Sequence, residues 1–191
     1  AREVDIGARL DGRPGVLVAR GYGVAEGGEL WIARAAAPGA GPLVPVGGDL
    51  VGRVSRVTAA ARAVAALHDA AVLHRDLGPD ALRVLADGRV VVGGLGLARL
   101  AGVPEPLGGS PSASLLVTTP ACAAPELLDR LDRATPRADV HALGALLFRA
   151  LCGEWPWGAS LVEVVRRQER GRAAGEVPRP SAQDPQVPAT L

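Results

Sequence analysis

Lysine, asparagine and methionine are absent from these 191 residues, and all 21 basic side chains are arginine. Without lysine there is no G-x-x-x-x-G-K-[ST] phosphate loop, no Schiff-base lysine and no Ser-x-x-Lys nucleophile, which removes three large enzyme classes. Cysteine and histidine are nearly as scarce. Cys122, Cys152, His68, His74 and His141 form neither C-x-x-C nor H-x-x-x-H spacing, so a structural zinc ion would lack ligands. Buried free thiols in a reducing compartment are the expectation. No apolar run approaches the roughly 20 residues of a membrane helix, and no signal-like segment opens the chain. A cytoplasmic protein without membrane contact in this stretch is expected. The net charge of +1 argues against a nucleic-acid partner. What is abundant is apolar: 48% of the residues are hydrophobic and 21% charged, enough to bury a substantial core.

Residues 1–34 hold short apolar runs at 16–19 and 30–33 between glycine turn signals at 12–15 and 21–28, which predicts a small sheet region. Residues 35–48 shift to Ala, Pro and Gly, including Pro38-Gly39-Ala40-Gly41-Pro42, and read as a connection between two subregions. Val54, Val57, Ala61 and Val64 recur at three- and four-residue steps and predict a helix to about residue 71. Leu82 and Val84, the Asp87-Gly88 turn and Val90 to Val92 predict a hairpin, and 93–119 reads as surface loop. Thr135-Pro136 starts a helix with an apolar stripe of Val140, Leu143, Leu147 and Leu151, ended by Gly153. Ser160 and Glu163 form a capping box for a last helix that Gly171 should stop, and 177–191 should run irregularly.

Four segments carry chemistry in their order: His74-Arg75-Asp76-Leu77, Gly94-Leu95-Gly96-Leu97-Ala98-Arg99, Thr119-Pro120-Ala121-Cys122-Ala123-Ala124-Pro125-Glu126 and Asp139-Val140-His141-Ala142-Leu143-Gly144. They resemble the protein kinase set H-R-D-L-x-x-x-N, D-F-G-L-A-R, G-T-P-x-Y-x-A-P-E and D-V-x-S-L-G, with Thr119 on the Ser/Thr side and the bacterial enzymes nearest in pattern. A dinucleotide-binding reading of Gly94 and Gly96 fails, because the third glycine would fall at Arg99. The resemblance implies an α+β protein-kinase-like fold: a partial N-terminal lobe sheet in 1–34, a hinge in 35–48, and a mostly helical C-terminal lobe in 49–191, truncated before the last helices. It also implies that Glu3 is the helix glutamate whose partner lysine and glycine-rich loop lie before residue 1, and that Arg34 stands at the gatekeeper position, crowding the adenine slot or turning out to solvent.

In that family an Asp and an Asn hold the metal ions that bridge the nucleotide phosphates. By resemblance those positions are Gly94 and Ala81 here, and the catalytic-loop lysine is Gly78. Asp76 keeps the position that accepts the substrate hydroxyl proton, and is read as vestigial or as a bond to Thr119 that holds the next segment. Asp80 is the one neighbouring carboxylate that could replace a metal ligand. His74 is read as a satisfied core histidine, Arg75 as a receiver for phosphate on Ser110, Ser112, Ser114 or Thr118, and Asp139 as a brace on the His74 to Asp76 loop. Trp155 and Trp157 are read as packing. The implied function is a pseudokinase, a signalling or scaffold module that binds a protein partner such as a signalling component or another kinase. No metal and no cofactor are expected, with ATP bound without metal left open. A weakly active or unconventional Ser/Thr kinase transferring the ATP γ-phosphate to a protein is the alternative.

Overall fold

The computed structural model describes residues 2–44, 48–103 and 119–189. Helix α1 (Arg2–Leu10) precedes an antiparallel pair, β1 (Ala19–Val24) and β2 (Leu30–Arg34). After β3 (Gly41–Pro42) come α2 (Leu50–His68), β4 (Val72–Leu73), β5 (Leu82–Val84), β6 (Val90–Val92) and β7 (Arg99–Leu100). The helices α3 (Pro125–Asp129), α4 (Pro136–Cys152), α5 (Leu161–Ala174) and α6 (Pro180–Gln183) complete the described chain. The sheets are small: β3–β5–β6 in that order, and β4 paired antiparallel with β7.

Local chemistry explains most boundaries. Asp49 caps α2 by accepting from the Gly52 amide at 2.9 Å, and Ser160 with Glu163 closes the expected box on α5. Gly153 ends α4 at φ +75°, where a glycine costs least. The expected hairpin is present as β5–β6, pairing Leu82 with Val92 and Val84 with Val90. The segment before β1 is hooked onto this hairpin by backbone bonds from Leu17 N–H to Val92 O and from Val92 N–H to Gly15 O.

One core cluster runs from α1 to α4. Leu10, Leu43, Leu67, Leu82, Leu95 and Leu146 are fully buried, each contributing roughly 1.5–3 kcal/mol. Helices α2 and α4 share one core cluster in which many side chains are small, Ala60 and Ala63 on one and Ala142, Ala145 and Ala150 on the other.

Several expectations need correction. The first strand is Ala19–Val24, so Gly21 and Gly23 lie inside a strand, and the turn falls at 25–28, closed by Gly28 N–H on Ala25 O. Helix α2 stops at His68 and not near 71. Residues 93–103 are not featureless loop: a 3₁₀ turn at Leu95–Leu97 leads into β7. Thr135 precedes α4 without a side-chain capping bond, and Val140 of the expected stripe is 59% exposed. Helix α5 runs through Gly171 to Ala174, and Pro180–Gln183 is helical within the tail.

Candidate functional site

Asp139, at the start of α4, is 2% exposed and gathers three donors. Its Oδ2 accepts from His74 N–H at 2.9 Å and His68 Nε2–H at 2.8 Å, and its Oδ1 accepts from Arg75 N–H at 2.9 Å. Burial pushes this carboxyl up, but the bonds from His68, His74 and Arg75 outweigh it and hold the group below the usual carboxylate range. The expected brace on the loop is therefore present, and His68 is a further donor that the sequence did not reveal. Only its place at the end of α2 brings it within reach.

The brace fixes the loop between β4 and β5. His74 is fully buried; Nε2 donates to Gly93 O at 2.8 Å while Nδ1 accepts from the Asp76 amide at 3.3 Å, which sets the Nε2–H tautomer. This is the satisfied core histidine. Arg75 sits at φ +68°, a conformation that non-glycine residues adopt only when their surroundings impose it. Its Nε donates to Leu97 O at 2.6 Å and its Nη1 to Leu131 O at 3.4 Å, so the guanidinium ties β7's approach to the segment before α4. The hydroxyls at 110, 112, 114 and 118 lie outside the described residues.

Asp76 follows, partly buried, its Oδ1 accepting from the Thr119 amide at 2.9 Å. Burial lifts its carboxyl above the usual range against the Thr119 bond and the nearby His74. Gly78 makes room for this contact, because a Cβ there would lie 2.7 Å from Thr119 Oγ1. Behind them Cys122 is buried, its thiol pushed up to about 12 by burial and by the Asp76 charge, which makes it inert.

A cleft of about 430 Å³ opens beside this loop, lined by Arg34, Asp80, Ala81, Arg83, Gly93 and Gly94 among others. Arg34 stands at the rim of this cleft with its side chain 53% exposed. Its guanidinium grips Glu3 of α1 in a fork, Nε to Oε1 at 2.7 Å and Nη2 to Oε2 at 2.8 Å, and Glu3 is 7% exposed. The glutamate expected to await a lysine is thus already paired, across 31 positions of sequence, with a partner that no local pattern could reveal. Arg83 is half-buried on β5 and, among the described residues, its guanidinium makes no hydrogen bond or ion pair. Gly94 lies at φ +71°, and a Cβ there would sit 3.7 Å from that of Ala81.

A protein kinase domain model matches residues 54–186. This chain belongs to the protein kinase family. Serine/threonine-protein kinase PknJ of Mycobacterium tuberculosis is 32% identical over 170 residues, covering 83% of this chain and 27% of that protein. PknK of the same organism is 33% identical over 156 residues, covering 80% of this chain and 14% of that kinase. The chain therefore spans well under a third of these curated relatives. A chain in the CAK complex from Chaetomium thermophilum bound to ATP-gamma-S superposes with a TM-score of 0.69 at 22% identity, covering 88% of this chain and 53% of that one, and shows the fold.

Kinase folds place a carboxylate and an amide oxygen against divalent metal ions. Here the two positions present hydrogen and methyl, Gly94 and Ala81, to the same cleft. Hard cations want a shell of oxygen donors, about six for magnesium, and the exposed Asp80 is the one carboxylate lining this cleft. The residues present do not fit the metal.

Proposed function

We propose that this kinase-like domain has lost phosphoryl transfer and works as a signalling or scaffold module by binding a protein partner. The observation that carries this reading is that Gly94 and Ala81, with a hydrogen and a methyl, stand where two oxygen donors would grip the metal. Metal charge stabilisation is worth several kcal/mol, and each 1.36 kcal/mol is about tenfold in rate. Asp76, bonded to Thr119, then serves to hold the following segment over the loop. Any nucleotide in the cleft would be held without metal, by contacts such as Arg83. Two free cysteines support a reducing, cytoplasmic setting. Among the described residues no helix is long and apolar enough to cross a membrane.

A second reading, a weakly active Ser/Thr kinase, is favoured by the retained Asp76 and by the names of the relatives. One experiment separates the two: incubation with radiolabelled ATP and Mg²⁺ or Mn²⁺, comparing the parent chain with Asp76→Asn. We expect equal background from both. Incorporation by the parent that Asp76→Asn abolishes would establish the enzyme. ATP in EDTA, followed by thermal shift, reports metal-free binding separately.

A further inference from the structure

Helix α5 carries Arg166, Arg167, Arg170 and Arg172 against Glu163 and Glu169, a local positive excess in a chain whose whole net charge is +1. Its acids do little to offset it. Glu163 is taken up by the capping box, accepting from Ser160 N–H at 3.2 Å and Ser160 Oγ–H at 3.0 Å, and stands 4.0 Å from Arg167. Arg170 is exposed and, among the described residues, has no hydrogen-bond or ionic partner. Arg167, Arg170, Gly171 and Ala174 share one helical face, and that face is one wall of a groove of about 310 Å³.

The groove is built on Gly171. A Cβ at that position would lie 2.8 Å from Glu176 O and 3.1 Å from Trp157 Cζ3, so the glycine lets both the indole and the returning chain close on the helix. The return is fixed by Gly175 at φ +67° and by Glu176 N–H on Gly171 O at 2.8 Å. It leaves Val177 74% exposed beside Trp157, an apolar surface next to two arginines. Trp155, by contrast, packs on the core and beneath Arg149, 5.5 Å from its ring centre.

We propose that this groove docks an acidic peptide segment of the partner protein, with carboxylates on Arg167 and Arg170 and one apolar side chain against Trp157 and Val177. The proposal rests on the protein-binding reading above and names the surface and the chemistry it selects. Tryptophan and arginine are the side chains that most often anchor such contacts. A peptide fits better than nucleic acid because Glu176 lines the same groove and would face a continuous run of phosphates, whereas a peptide can place an uncharged residue there.

The test is selection of a phage-displayed library of random dodecapeptides on the chain, followed by fluorescence anisotropy of the selected, labelled peptides. Enrichment in Asp and Glu around an aliphatic or aromatic residue is expected. Affinity should fall tenfold or more in Arg167→Ala/Arg170→Ala, fall several-fold in Trp157→Ala, and weaken with salt, while the melting temperature of the double variant stays within a few degrees of the parent. No selected peptide, peptides without acidic enrichment, binding indifferent to the double variant, or equal competition by a random 20-nucleotide single strand would each overturn it. Failure here leaves the Asp76→Asn comparison untouched, and phosphate transfer found there leaves this affinity measurement standing.

Discussion

Asp139→Asn tests whether one carboxylate organises the whole loop. In the parent, Oδ2 serves two donors and Oδ1 a third, all inside a site that is 2% exposed. An asparagine retains one oxygen. If that oxygen faces His68 and His74, the new NH₂ confronts the Arg75 amide, donor against donor; the opposite flip confronts two donors. Charge-assisted bonds of this kind contribute about 1.5–3 kcal/mol each, and breaking a buried charged partnership costs about 3–5 kcal/mol. For a chain of this size about 1 kcal/mol moves the melting temperature by roughly 2–4 °C, so a drop of about 6–20 °C is expected. Thermal and urea denaturation followed by circular dichroism measure it. A loss of about 1 kcal/mol or less, the value of a carboxylate at a helix start, would refute the bracing role. The pH dependence supplies a second check. The folded carboxyl lies below its ordinary value, so its contribution is complete above the unfolded value near 4 and is lost as pH falls through the folded one. The stability gap between parent and variant must therefore narrow only on acidification below about pH 4.

Asp76→Asn should behave oppositely. Burial raises that carboxyl, so the parent loses stability as pH rises from the unfolded value through the folded one; the variant, still able to accept from Thr119 N–H, should match or exceed the parent at pH 7, read by urea titration between pH 3 and 7. Ala81→Asn with Gly94→Asp places two oxygen donors at the cleft, and aspartate tolerates the left-handed backbone at 94; a magnesium-dependent thermal shift with ATP should appear in the double variant and not in the parent. Arg34→Leu strips both bonds from a buried glutamate and should cost about 1–3 kcal/mol, most of it recovered in Glu3→Leu/Arg34→Leu, a coupling that a double-mutant cycle in urea would measure.

Features set by a few neighbouring residues were legible from the chain alone. The capping box at Ser160, the β5–β6 hairpin and the glycine that ends α4 all follow from residues close to one another in the chain. The kinase pattern was legible because its four segments keep their order. What escaped were glycines that create space. Gly23 pairs with Trp31 across the β1–β2 ladder, and a Cβ at 23 would lie 2.6 Å from that ring, so a residue read as a turn is what admits the indole to the strand. Gly171 admits Trp157 to α5 in the same way, and the helix runs on past it. On α4 the buried face mixes alanines with Leu143, Leu146, Phe148 and Leu151, and Val140 falls on the opposite, exposed side. The same logic bears on Gly78. Family pattern reads it as a missing lysine, yet a Cβ there would press 2.7 Å from Thr119 Oγ1 and displace the residue whose amide Asp76 holds. Any side chain at 78 therefore presses on Thr119 and on the bond its amide makes to Asp76, so that Gly78→Lys is accommodated only if Thr119 moves.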